Sequence, residues 1–257
     1  MSEITLSLEG RRALVTGAGS GLGNFLAEKL DAAGASVAIH CHNNLKGAEE
    51  LALRLKNPSA IVKADLNNLE ELRHRFKEVK EKLGIINILV NCAAAESQDI
   101  SDLSKISADL WSNTMKTNVT APMILTQLFA AQDALYENGG GAIINISSIE
   151  GSRPAPGHNH YATSKAALEM LTKASALELG SLGIRVNAIA PGLISRKGIE
   201  EDWPEGVTAW NAAAPLGKLV DPKDIANTCL FLASGLSSSI SGTVITVDCG
   251  VSTKPSW

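Results

Sequence analysis

The chain is short of anything that would hold a metal or a disulfide framework. Its four cysteines, Cys41, Cys92, Cys229 and Cys249, are scattered through 257 residues. None form a C-x-x-C pair, so neither a zinc site nor a redox dithiol is indicated. Three of them lie in apolar runs and read as small buried hydrophobes. His40 and His42 stand two apart on one side of a strand-like run, but no further ligands accompany them, so no metal site is expected. Long hydrophobic stretches are also missing, and none approaches the ~20 apolar residues needed to span a bilayer. The opening MSEITLSLEGRR lacks the apolar core of a signal peptide. No long basic run occurs, and the net charge of −4 argues against a phosphate-tracking nucleic-acid surface. These absences describe a soluble chain in a reducing, cytoplasmic setting, with neither a membrane nor a nucleic acid as partner.

What is present is apolar mass in short pieces. Hydrophobic residues make up 45% and charged residues 19% of the chain, enough for a substantial core. Seven β-rich runs stand at 13–17, 36–41, 60–65, 86–91, 142–147, 184–190 and 243–248. Val and Ile dominate them with weak alternation, as in parallel strands buried on both faces. Helical patterns fill the gaps at 22–33, 45–56, 68–83, 121–137, 160–180 and 222–234. Gly34, Gly84 and Gly183 follow helix ends, where a left-handed cap residue is wanted. This alternation predicts an α/β fold, a doubly wound, Rossmann-like sheet of seven parallel strands with helices on both faces. No linker, repeat or low-complexity segment divides it, so residues 1–257 read as one domain. The least regular stretch, 192–221, contains Pro204, Pro215, Trp203 and Trp210, and its part at about 192–215 reads as a substrate loop or lid.

Two local patterns suggest chemistry. The first strand runs into TGAGSGLG, residues 16–23, and then into a helix. Such a turn lets backbone N–H groups and the positive helix end approach a pyrophosphate. Gly17 makes the turn, Gly21 permits close approach and Gly23 lets helix and strand pack. The spacing is G-x-x-x-G-x-G rather than the commoner G-x-G-x-x-G. Further on, YATSK places Tyr161 and Lys165 four apart at the head of an alanine-rich helix, on one face. Alone, that pair would be a half-buried aromatic beside a solvated lysine.

Read together, these segments resemble the short-chain dehydrogenase/reductase family in its single-domain branch. Thr16 to Gly23 is similar to the family's T-G-x-x-x-G-x-G turn. Asn118, Ser148, Tyr161 and Lys165 fall in the order and rough spacing of its Asn–Ser–Tyr–Lys tetrad, NCAA at 91–94 stands where it has N-N-A-G, and APG at 190–192 matches the segment beside the nicotinamide. The resemblance covers nearly the whole chain. It implies a phenol, Tyr161, that acts as acid or base, with Ser148 holding the substrate oxygen and Asn118 holding a water. An unperturbed tyrosine titrates near ~10, and the neighbouring Lys165 cation would favour its phenolate. Lys165 would also bond the nicotinamide ribose. Cofactor contacts are implied for Gly17, Ser20, Gly21, Leu22, Gly23, His42, Asn43, Asn44, Asp65, Leu66, Asn91, Ala93, Tyr161, Lys165, Pro191, Gly192 and Ile194, with Asp65 against the adenine.

No carboxylate occurs between Ser36 and Gly47 to repel a 2′-phosphate. Cys41 stands where NAD-dependent relatives carry Asp, and His42 where NADP-dependent ones carry a common Arg. Asn43 and Asn44 can donate amide hydrogens, and one can cap the next helix. NADP(H) is therefore favoured and NAD(H) stays open; Ser20 replaces the basic residue that many NADP-binding relatives carry. Other departures are Cys92 and Ala94 in the N-N-A-G segment, Arg196 where a threonine is frequent, and Cys249 in a D-G-G. Segments 94–99, 149–160 and 193–214 should border the substrate, with Glu96, Glu150, Arg153, His158, His160, Trp203 and Trp210 as candidates. The leading expectation is an oxidoreductase acting on a small-molecule carbonyl or secondary alcohol. An NAD-dependent alcohol or polyol dehydrogenase and a non-catalytic dinucleotide sensor or scaffold are the alternatives. A nucleotide-sugar epimerase shares the Tyr–Lys pair but not the glycine spacing. The resemblance implies a homotetramer or homodimer built partly on the helices at 160–180 and 121–137.

Overall fold

The computed structural model describes residues 6–95, 102–132, 135 and 140–253. Within them the chain order is β1 (Arg12–Val15), α1 (Gly21–Ala32), β2 (Ser36–Cys41), α2 (Leu45–Arg54), β3 (Ser59–Lys63), α3 (Leu69–Leu83) and β4 (Ile88–Asn91). Next come α4 (Ala108–Met115), α5 (Ala121–Ala130), β5 (Gly141–Ile146), α6 (Asn159–Leu179) and β6 (Ile184–Pro191). The order closes with α7 (Ile199–Asp202), α8 (Pro204–Ala213), α9 (Pro222–Ala233) and β7 (Val244–Val247). The sheet runs β3-β2-β1-β4-β5-β6-β7 and every pairing is parallel. This is the expected doubly wound sheet.

Successive strand residues serve opposite faces, because strand side chains alternate. Ala13, Val15, Ile88, Val90 and Ile144 join a core with Leu26, Leu30, Leu51, Ile225 and Leu230 from α1, α2 and α9. Leu14, Leu89, Ile143 and Val186 join Leu72, Phe76, Val79, Leu125 and Phe129 from α3 and α5 on the other face. Both faces are thus covered, which is why the strands read as apolar throughout. Gly34, Gly84 and Gly183 all have positive φ at or beside helix ends, as expected.

Two stretches depart from expectation. The region at 192–221 is more regular than its prolines suggested: α7 and α8 lie inside it, with Pro204 in the first turn of α8, where a missing N–H is harmless. The helix expected over 121–137 ends at Ala130. It is preceded by a π-turn, Lys116–Thr120, that runs straight on from α4. Neither α4 nor that turn was read from the sequence.

Candidate active site

The strands of a parallel sheet all end on one edge, and the order reverses between β1 and β4. Ligands bind in the crevice beyond that edge. The glycine turn follows β1 there, and Gly17 and Gly21 both have positive φ, at 69° and 53°. A Cβ at Gly23 would lie 2.3 Å from the Gly17 carbonyl oxygen, so only glycine lets α1 sit so close to the turn. A Cβ at Gly21 would meet nothing within 4 Å, so the space over the first turn of α1 is open. A cradle of free backbone at a helix N-terminus fits a dinucleotide pyrophosphate.

Several tertiary bonds hold the cradle in shape. The Gly17 N–H donates to Nδ1 of His40 at 3.2 Å, and His40 Nε2 reaches the Ala64 carbonyl at 3.1 Å. With Nδ1 accepting, the proton sits on Nε2 and the ring is neutral. Burial lowers the His40 pKa to about 4. Thr16 Oγ1 accepts from Cys92 N–H (2.9 Å) and Ala93 N–H (3.0 Å), tying β1 to the segment after β4. Neither His40 nor Thr16 was expected to have this role. Ala94 needs no glycine conformation, since Cys249 (φ 55°) is the one described non-glycine residue with positive φ.

Asn44 caps α2 by accepting from Gly47 N–H, and its amide donates to the Gly19 carbonyl at 2.8 Å. One of the two asparagines thus caps the helix, as anticipated, while its amide fastens α2 to the glycine turn. His42 and Asn43 are exposed beside it. Asp65 accepts from Asn67 N–H. Leu66 is buried in the core, so its backbone is what remains for a ligand. Asn91 is likewise buried and donates to Asn145 Oδ1 across the β4–β5 register.

The four residues expected to act together lie just after β5, in the first two turns of α6 and in the π-turn. Lys165 is only 2% exposed; its Nζ lies 5.4 Å from the Tyr161 ring centroid and donates to the Ile146 carbonyl at 2.8 Å. Ser148, two residues beyond that carbonyl, opens a short 3₁₀ turn, Ile149–Gly151, and its Oγ accepts from Glu150 N–H at 3.1 Å. Asn118, fully buried in the π-turn, accepts from Ala95 N–H at 2.8 Å and donates to Ser164 Oγ at 2.9 Å. Ser164 in turn donates to the Tyr161 carbonyl at 2.7 Å. A π-turn re-aims side chains that an α-helix would point elsewhere, which is why such turns gather at functional sites. Asn118 thereby clamps both the segment after β4 and the first turn of α6. Ser147 faces inward and bonds Glu169 at 2.9 Å, which leaves Ser148 as the serine nearer the cleft.

The expected border residues divide. Trp210 faces inward: a Cβ on Gly192 would lie 2.3 Å from its ring, and its Nε1 donates to the Lys218 carbonyl. It props the Pro191–Gly192 segment, whereas Trp203 is half exposed and packs over Gly206. Arg196 pairs with Asp202 on the surface. Ile194 bridges to Val220. Glu150 and His158 form a half-buried pair, and His160 is fully buried with neither ring nitrogen bonded. Glu96 lies outside the described residues. Among those residues, no group of three His, Cys, Asp or Glu is placed to hold a metal ion, and no helix is long and apolar enough to cross a membrane.

A doubly wound sheet with a glycine cradle at its switch point and a Tyr–Lys pair beside it defines a dinucleotide-dependent oxidoreductase. The profile described as enoyl-(acyl carrier protein) reductase matches residues 17–252, and the chain belongs to the short-chain dehydrogenase/reductase family. It is similar to the 3-oxoacyl-(acyl carrier protein) reductase of Vibrio cholerae, 33% identical over 246 residues, covering 96% of this chain and 99% of that one. Among solved structures it is similar to a gluconate 5-dehydrogenase from Burkholderia cenocepacia in complex with NADP and tartrate (TM-score 0.88, 28% identity, 98% of each chain). It is also similar to a 7α-hydroxysteroid dehydrogenase in complex with NADH and 7-oxo glycochenodeoxycholic acid (TM-score 0.88, 32% identity, 96% of each chain).

Proposed function

We propose that this chain is an NADP(H)-dependent reductase of carbonyl compounds, or dehydrogenase of the matching secondary alcohols, with Tyr161 as its acid–base group. The observation that carries the reading is the Tyr161–Lys165 pair, with the Lys165 ammonium bonded to the Ile146 carbonyl, two residues before Ser148. The bound nicotinamide supplies or accepts the hydride. The protein manages the proton. Ser148 Oγ holds the substrate oxygen, and the Tyr161 hydroxyl gives that oxygen its proton in reduction and takes it back in oxidation. The buried Lys165 ammonium stabilises the phenolate left behind, more strongly than it would in water. Asn118 keeps the first turn of α6 in register through Ser164.

The glycine cradle, Gly17 to Gly23, would take the pyrophosphate, and His42 and Asn43, exposed just after β2, would be the residues to meet a 2′-phosphate. With no acid on β2 or in the turn after it, the reading favours NADP(H), and the NADP-bound gluconate 5-dehydrogenase supports it. The NADH-bound hydroxysteroid dehydrogenase keeps an NAD(H)-dependent enzyme as the second reading. We read residues 1–257 as one domain working in the cytoplasm as a homotetramer or homodimer, with 192–215 bordering the substrate. Exposed Met170 and Leu177 on α6 support that assembly.

The test is a screen of carbonyl compounds and alcohols with both dinucleotides, run beside Tyr161→Phe. That change should lower kcat by about 10²–10⁴-fold, the usual worth of a positioned acid–base group, while dinucleotide binding survives. Undiminished turnover by Tyr161→Phe would refute the assignment. Binding without turnover over the whole panel would favour a sensor.

A further inference from the structure

The connection between β5 and α6 carries Ser148 at one end and Tyr161 at the other, and a side-chain pair joins those ends. Glu150 stands two residues after Ser148, and its own N–H is bonded to the Ser148 hydroxyl. His158 stands three residues before Tyr161, at the N-cap of α6. Their side chains meet, with His158 Nδ1 at 3.0 and 3.2 Å from the two Glu150 oxygens. The turn between is seated tightly on α6, since a Cβ at Gly151 would lie 2.7 Å from Glu169 Oε1. The pair is therefore held in place on the connection that carries Ser148 and Tyr161.

Its hydrogen-bonding capacity is not used up. The side chains are 20% and 27% exposed. His158 Nε2 has no protein partner among the described residues, and each carboxylate oxygen keeps a lone pair beyond the one aimed at His158. With Nδ1 turned to the carboxylate, Nε2 is the ring nitrogen left for a ligand. The pair offers that nitrogen and two carboxylate oxygens to a hydroxyl, which can both donate and accept, a few residues from the groups that would hold the reacting oxygen. An apolar substrate chain laid against it would strand those polar atoms out of water, at a cost for each.

Resting on the reductase reading above, we infer that Glu150 and His158 form a hydroxyl-recognition pair that selects polyhydroxylated carbonyl substrates over bare ketones. Hydroxyls flanking the carbonyl bond the free carboxylate lone pairs and His158 Nε2 while Ser148 and Tyr161 hold the reacting oxygen. A site built to bond a hydroxyl can reject the analogue lacking it by several orders of magnitude. Because the pair is partly exposed, the expected preference is about ten- to a hundred-fold in kcat/KM.

The experiment uses two matched pairs of 2-ketones, L-erythrulose with 2-butanone and D-fructose with 2-hexanone, with NADPH and the whole chain. Glu150→Gln and His158→Gln are the variants, each checked by thermal unfolding and by NADPH binding. The wild type should prefer the hydroxylated member of each pair. Either variant should raise KM for that member about tenfold, leave kcat within about threefold, and leave the bare ketone unchanged. Equal losses on both members, or a fall in kcat with KM unchanged, would show a purely structural clamp and overturn the inference. So would a wild-type preference for the bare ketones. If one variant fails to fold, the other and the wild-type ratio still decide. Turnover of other carbonyls without turnover of these four sinks the inference and spares the reductase reading; no carbonyl turnover at all sinks both.

Discussion

Acid should loosen the glycine turn through one side chain, His40. Its imidazole accepts the Gly17 N–H at Nδ1 and contacts the Ala64 carbonyl at Nε2. A second proton can only go to Nδ1, where it would face the Gly17 hydrogen. Burial lowers the pKa from 6.5 to about 4. Between those values the unfolded chain binds a proton that the native chain refuses, so stability rises with pH across the window. The contribution is complete above pH 6.5 and is lost as pH falls toward 4. At about 1.4 kcal/mol per unit, the loss is roughly 3 kcal/mol. The assay is urea unfolding from pH 7 to 4.5 for wild type, His40→Gln and His40→Leu. Glutamine can offer an acceptor and a donor without titrating, so its profile should be flatter than wild type by about 2–3 kcal/mol over that range. Leucine should also be flatter, but lower throughout by about 1–3 kcal/mol for each stranded backbone group. Other ionising groups shift all three proteins alike and cancel. Dinucleotide affinity of the wild type should weaken over the same range, because Gly17 is what His40 holds. Parallel pH profiles for the three proteins would refute the argument.

Two further predictions concern close packing at the cleft. Gly23→Ala would drive a methyl onto the Gly17 carbonyl, an immovable backbone neighbour; it should cost about 1–3 kcal/mol in unfolding experiments and weaken dinucleotide binding in fluorescence titration. Trp210→Ala would remove the ring beneath Gly192; being partly buried, it should cost somewhat less than the ~3–5 kcal/mol of a core Trp→Ala, with a rise in substrate KM that Trp203→Ala, on the exposed side, does not reproduce.

Much of the architecture could be read before any coordinates. All seven strands and five of the six expected helices fall within a few residues of their spans, and the sixth, expected over 121–137, ends at Ala130; apolar runs and helical periodicity are local signals. The stretch 116–120 gave no such signal: a π-turn has no distinct residue preference, and it hid how Asn118 is aimed. The prolines of 192–221 suggested irregularity, yet Pro204 stands at a helix start, where proline is at home. Trp210 looked like a lid residue because loop tryptophans are conspicuous; which way its ring turns depends on Gly192, eighteen positions earlier. Asn44 shows both sides. Its capping role was legible from position, but its bond to Gly19 spans 25 residues.

The sequence by itself determined the order of strands and helices, the glycines at the first turn, and the one-turn spacing that sets Tyr161 beside Lys165. Those features rest on interactions within a few residues, and local spacing encodes them. Only the tertiary structure decided that His40 braces Gly17 from 23 residues away, that Asn118 reaches α6 through Ser164 across 46 residues, and that Glu150 meets His158. Such contacts depend on strand order and on how the helices seat against the sheet. They arise when the whole core closes, and even where the partners are as near in sequence as Glu150 and His158, no short window of residues contains the packing that brings them together.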